Sequence, residues 1–111
     1  MHWTHLTTED QLNDLIASSH DKPKVIFKHS TRCGISRTAL NRVEQLDNVQ
    51  GVDFYFLDLL AHRPVSNKVA EIFNVHHESP QVLLIKSGEC VYEESHLGIT
   101  PMDILEQAAR N

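Results

Sequence analysis

The stretch VIFKHSTRCGISRTALNRVEQL, residues 25–46, decides the fold. Val25, Ile26 and Phe27 form a continuous apolar run, the pattern of a strand buried on both faces, and the polar turn residues His29, Ser30 and Thr31 follow. From Ile35 the apolar period changes: Ile35, Ala39, Val43 and Leu46 mark one side of a helix expected to run to about Asp47. Cys33 therefore sits at a strand-to-helix junction. The first turn of a helix presents unpaired N–H groups and the positive end of its dipole, which favour a thiolate and lower the thiol pKa. Lys28, His29, Arg32 and Arg37 are expected to add positive charge around it. Cys33-Gly34-Ile35-Ser36 has the spacing of a dithiol redox site, with Ser36 in place of the second cysteine. A serine there can donate a hydrogen bond to the thiolate but cannot close an internal disulfide. Outside such a context a free cysteine is usually a small buried hydrophobe, and C-x-x-S recurs by chance.

The 111 residues suffice for one domain, 1–111, with a single core. With 41% hydrophobic and 23% charged residues, the balance is that of an ordinary globular chain. No apolar run is long enough to span a bilayer, and MHWTHLTTED is too polar and acidic for a signal peptide, so no membrane partner is expected. A formal charge of -5 without any Lys/Arg-rich block argues against nucleic acid as a partner. Two cysteines make no disulfide framework, which favours a reducing, cytoplasmic location. The eight histidines are scattered and lack metal-ligand spacing, so no metal is expected, and the chain is expected to act as a monomer.

Thr7 or Thr8, followed by Glu9 and Asp10, announces a first helix with Leu12, Leu15 and Ile16 on its apolar face. Trp3 and Leu6 precede it, as a short edge strand or as packing for the helix. After the junction helix come a loop over residues 48–51 and a strand over residues 52–59, parallel to the first through a right-handed crossover. Pro64 opens a helix with a stripe of Val65, Val69, Ile72 and Phe73, and Asn74 is its left-handed cap. Residues 82–85 and 90–93 flank a turn near Gly88 and read as a hairpin. Thr100-Pro101-Met102-Asp103 caps a last helix whose core face is Ile104, Leu105 and Ala108. This order predicts an α/β, thioredoxin-like fold: a mixed four-stranded sheet with helices on both faces.

KHSTRCGIS (28–36), AHRPVSNKVAE (61–71), HESPQ (77–81) and SHLGIT (95–100), in this order and spacing, closely resemble the monothiol bacilliredoxins, the YtxJ-like family. The likeness covers nearly the whole chain. It implies a thiol-disulfide oxidoreductase that removes bacillithiol, a low-molecular-weight thiol, from S-bacillithiolated proteins through a mixed disulfide with Cys33. Bacillithiol is then the co-substrate that resolves the mixed disulfide. Cys33 matches the family's nucleophile and Ser36 the serine in place of a resolving thiol. Ser79-Pro80 matches the loop that carries a cis-proline in thioredoxin-like proteins, where the residue before it offers a strand-like edge to the substrate. Arg32, Gly34, Ser79, Pro80, His96 and Gly98 are the expected contacts for the low-molecular-weight thiol. The family usually has proline after the nucleophile, where this chain has Gly34. Cys90 is expected on a strand position more than about 12 Å from Cys33, too far for a resolving thiol.

Other readings of the same residues remain open. Cys33-Gly34-Ile35-Ser36 also resembles the signature of monothiol glutaredoxins that carry a shared [2Fe–2S] cluster, although Ile35 replaces the phenylalanine. CGISRTAL resembles the glutaredoxin-like arsenate reductases. A catalytically silent thioredoxin-fold adaptor is a further alternative.

Overall fold

The computed structural model describes residues 1–46 and 49–110. Its elements run β1 (Thr4–His5), α1 (Glu9–Ser18), β2 (Lys24–His29), α2 (Gly34–Val43), β3 (Asp53–Asp58), α3 (Arg63–Phe73), β4 (Gln81–Lys86), β5 (Glu89–Ser95), a 3-10 turn (His96–Gly98) and α4 (Pro101–Ala109). The sheet has five strands in the order β1-β3-β2-β4-β5. β2 pairs parallel with β3 on one side and antiparallel with β4 on the other, so the sheet is mixed with β2 at its centre. The expected count of four strands is corrected by β1, which pairs Thr4 with Tyr55 and His5 with Phe56. Two residues are too few to carry an alternation signal, and only the sheet edge makes them a strand.

β2 is buried along its whole length, as its apolar run predicts. Its side chains alternate between two cores. Val25 and Phe27 face Ala39 and Val43 of α2 and Ile104 of α4, together with Phe54, Val82 and Leu84. Ile26 faces Leu12 and Leu15 of α1 and Val65 and Val69 of α3, together with Leu57, Leu83 and Ile85. Trp3 closes the rim of the first core, its ring 5.9 Å from Phe27, 6.0 Å from Phe54 and 5.7 Å from Phe56.

Local signals set the helix ends. Thr8 caps α1 in a capping box with Gln11, and Asn74 ends α3 at φ 53°. The β4-β5 hairpin turns through Ser87 at φ 50° and Gly88 at φ 80°, the two positive values that a twist-matched two-residue turn requires. α2 ends at Val43, earlier than the period of Leu46 implies; Leu46 is buried just past the helix, its N–H bonded to the Val43 carbonyl. Asp47 and Asn48, where the end of that helix and the start of the next loop were expected, lie outside the described residues. In α3 the predicted stripe is displaced, with Ile72 exposed and Ser66 buried. Among the described residues, no helix is long and apolar enough to cross a membrane.

Phe27 is fully buried where β2 meets α2 and the Trp3 cluster. Phe27→Ala is expected to cost about 3–5 kcal/mol of stability, read from urea unfolding midpoints at unchanged m-value.

Candidate active site

Cys33 is the N-cap residue of α2, at φ -108° and ψ 119°, four residues beyond the end of β2. Its thiol is partly exposed and unpaired with any other cysteine. In this position the sulfur takes the place of a capping oxygen, facing N–H groups that have no partner within the helix. The neutral thiol makes no formal capping bond, but the ionised form gains from these donors. The Ser36 N–H lowers the Cys33 pKa most, slight desolvation opposes it, and the Ile35 N–H and Ser36 hydroxyl lower it further. Ser36 is fully buried, and its hydroxyl accepts a hydrogen bond from the Ser30 N–H at 3.3 Å. Holding the oxygen from the Ser30 side leaves the hydroxyl proton for the sulfur. A Cβ at Gly34, the first residue of α2, would meet nothing within 4 Å.

The cations expected around Cys33 are arranged differently. Arg32 and Arg37 are exposed, but neither is among the causes that lower the thiol pKa. His29 is buried and lies between Phe27 and Phe56, with ring centroids at 6.0 and 5.2 Å. Burial pushes its pKa down, with Asp58 opposing, so it is a neutral ring near pH 7 rather than a cation. Lys28, one residue earlier, points to the opposite face of the sheet and is fully buried. Its Nζ lies 3.1 Å from the Ser66 carbonyl and 3.1 Å from His77 Nδ1. Strand alternation explains both corrections: a strand with two buried faces buries its polar residues too.

The loop before β4 meets this end of the sheet because Lys28 pairs in register with Gln81. The Ser79-Pro80 bond is cis. Pro80 is buried, and its carbonyl accepts a hydrogen bond from the His96 N–H at 3.0 Å. The Ser79 hydroxyl is buried and has no hydrogen-bond partner among the described residues. His96 adopts φ 54°, and its Nε2 lies 3.4 Å from a carboxylate oxygen of Glu78. A Cβ on Gly98 would come within 2.7 Å of the Glu94 carboxylate, so a larger residue there would have to displace that flexible side chain. Arg42 of α2 donates to the Leu97 carbonyl at 3.0 Å, tying the 3-10 turn to the helix that Cys33 heads. Cys33 and Ser36, the Ser79-Pro80 loop, and His96 with Gly98 are thus gathered at one end of the sheet.

Four residues at this end were given no role of their own at the site by the sequence: Glu78, Gln81 and His77, which lie within the HESPQ motif, and Arg42. Gln81 is buried, accepts from the Glu78 N–H at 3.4 Å, and donates to the His76 carbonyl at 3.0 Å and to Glu93 at 3.1 Å. A polar residue opening an apolar strand, as Gln81 opens Val82 to Ile85, is a signal that marks it besides its place in HESPQ. Cys90 lies at the other end of the hairpin, paired with Ile85, whereas Gln81 pairs with Ser95 at the site. Burial pushes the Cys90 thiol pKa up, and the thiol donates to the Tyr92 carbonyl at 3.3 Å. Four residues of strand separate it from the active end, about 13 Å, beyond the reach of a disulfide. Among the described residues, no group of three or more His, Cys, Asp or Glu side chains is placed to hold a metal ion.

A mixed sheet centred on β2, with a thiol heading the helix beyond it and a cis-proline loop alongside, defines a thioredoxin-fold protein of thiol redox chemistry. The chain belongs to the family of the monothiol bacilliredoxin BrxC, whose pattern it matches over residues 4–104. A candidate oxidoreductase with a thioredoxin fold is similar at 31% identity and a TM-score of 0.82, over 96% of this chain and 92% of that one. The thioredoxin of Fasciola hepatica matches at 24% identity and a TM-score of 0.74, over 96% of each chain. That of Malassezia sympodialis matches at 19% identity and a TM-score of 0.76, over 97% of this chain and 92% of that one. These two thioredoxins share the fold.

Ser36→Ala is expected to raise the Cys33 pKa only part of the way toward an ordinary thiol, because the Ser36 and Ile35 N–H groups remain. Thiolate absorbance at about 240 nm, followed against pH, measures it; an unchanged curve would remove the hydroxyl from the account. Gly34→Pro is expected to be accommodated, since Cys33 already has the extended backbone that precedes proline and the space beside Gly34 is open. The gain is about 0.4–1 kcal/mol, visible as a higher denaturation midpoint.

Proposed function

We propose that this protein is a monothiol bacilliredoxin in activity as well as in family: it removes bacillithiol from S-bacillithiolated proteins. The observation that carries the reading is a single low-pKa thiol at the head of α2, with Cys90 held at the far end of the sheet. The Cys33 thiolate attacks the bacillithiol sulfur of the modified protein. An S–S bond forms between Cys33 and bacillithiol, the original S–S bond breaks, and the protein thiolate leaves and takes a proton. Bacillithiol thiolate then attacks the bacillithiol sulfur of that adduct, regenerating Cys33 thiolate and giving bacillithiol disulfide. Each step exchanges one disulfide for another, so no further oxidant or reductant is consumed.

Within this reading Cys33 is the nucleophile, and Ser36 fixes a donor beside the sulfur. The Ser79 backbone offers its edge to the substrate chain, and Pro80 and His96 hold that edge through the bond between them. Arg32, exposed beside the thiol, suits the carboxylates of bacillithiol, and Gly34 leaves its approach open, whereas Gly98 packs against the Glu94 side chain. A reducing cytoplasm is the compartment that keeps both thiols free.

Intact mass after incubating the reduced protein with bacillithiol disulfide tests the mechanism. One bacillithiol adduct is expected in wild type and in Cys90→Ala, and none in Cys33→Ala. An internal Cys33-Cys90 disulfide, or no adduct in wild type, would reject the monothiol exchange.

A further inference from the structure

A polar layer lies beneath the Ser79-Pro80 loop on the α3 face of the sheet, away from Cys33's helix. Its centre is Lys28, fully buried with no carboxylate at ion-pair distance among the described residues. The ammonium donates to the Ser66 carbonyl and, at the same 3.1 Å, meets Nδ1 of His77, two residues before Ser79. This bond has a protonation requirement. A charged Lys28 has only protons to offer, so His77 must be neutral, with its own proton on Nε2 and the Nδ1 lone pair free. Gln81, the register partner of Lys28 on the same face, binds the same loop at the His76 carbonyl and the Glu78 N–H. The two central strands therefore reach into the cis-proline loop from below with two buried side chains.

We propose that Lys28 and His77 are positioning residues: a buried ammonium and a half-buried imidazole that together hold the Ser79-Pro80 loop in its substrate-receiving shape only while Lys28 is charged and His77 neutral. The inference deepens the exchange reaction proposed above and rests on it for the substrate. Burial pushes the Lys28 pKa down to about 8, and it pushes His77 below its ordinary value, with the charges of Lys28 and Arg63 adding to the effect. The other charged groups facing the pair are Glu78, which favours the charged form of His77, and His76, which opposes it. Glu93 is held on Gln81, and His96 lies against Glu78. Above about pH 8 the ammonium loses the charge that strengthens both its bonds. Below the His77 pKa, Nδ1 gains a proton and two cations face each other. The loop is held in the window between, and both limbs are separate from the ionisation of Cys33, because Lys28 is not among the groups that shift that thiol.

The test has two readouts. Backbone amide shifts of Ser79 and Gln81 in the reduced full chain, followed by NMR from about pH 5 to 9.5, are expected to move in two steps. The alkaline step falls near pH 8. Both steps persist in Cys33→Ser, which removes the thiol titration. In Lys28→Met the alkaline step disappears and the acid step moves up in pH, because the repelling charge is gone; in His77→Gln the acid step disappears. A wild type without the alkaline step overturns the inference, as does an alkaline step that survives Lys28→Met or an acid step that survives His77→Gln.

The second readout is the exchange rate divided by the Cys33 thiolate fraction, for a bacillithiolated peptide and for a small neutral disulfide that touches only the sulfur. The peptide profile is expected to be bell-shaped, falling about tenfold on each limb, and the small disulfide profile flat. A flat peptide profile rejects the positioning role and leaves the exchange function standing. Amide steps in wild type with no turnover of the peptide at any pH reject the exchange function and leave the loop coupling standing.

Discussion

Alternation at the C-terminal end of β2 is the constraint on which the site depends. β2 is the central strand, so both of its faces are covered and both of its edges are paired. Successive residues must enter opposite cores, Phe27 and His29 toward α2 and Lys28 toward α3. Because β2 also delivers the chain into α2, the same few residues place the thiol, the neutral histidine behind it and the ammonium under the neighbouring loop. A one-residue slip of this strand would exchange the two faces and dismantle all three.

Cys33 owes its acidity to backbone. The donors that favour its thiolate are N–H groups of the first helical turn and one fixed hydroxyl, while the nearby guanidinium groups are exposed. Charges on mobile, solvated side chains are screened and lose entropy when they are held, whereas a helix terminus is oriented by folding itself. Reactivity of this kind survives changes among surface cations.

The polar layer on the α3 face runs against the economy of the core. Lys28, Gln81 and Ser66 are all buried, and the Ser66 hydroxyl has no hydrogen-bond partner among the described residues. Burying an ammonium opposite a carbonyl and an imidazole, with no carboxylate at ion-pair distance among the described residues, costs stability that an apolar side chain would not. The layer lies directly beneath the cis-proline loop, at the place where local rules of burial are most often broken for function. The core on the same face is otherwise apolar, with Leu83, Ile85, Val65 and Val69 packed together and Cys90 against them.

Element type and order were legible along the chain because they rest on local patterns. The apolar run of residues 25–27, the change to helical period after Cys33, the Thr8 and Thr100 caps, the Asn74 cap and the hairpin turn at Gly88 all occur where the residues imply them. The sequence by itself also determined that one thiol heads a helix, since strand, turn and helix are contiguous there. Tertiary structure alone decided what surrounds that thiol. The two-residue β1 exists only as an edge to β3, and His96 reaches Pro80 only through the return of β5. Lys28, readable as a surface cation from its charge, is buried because β2 is covered on both faces. Periodicity is a property of a few consecutive residues, whereas burial and pairing depend on which distant elements arrive, and these are settled only when the sheet closes on its two layers of helices.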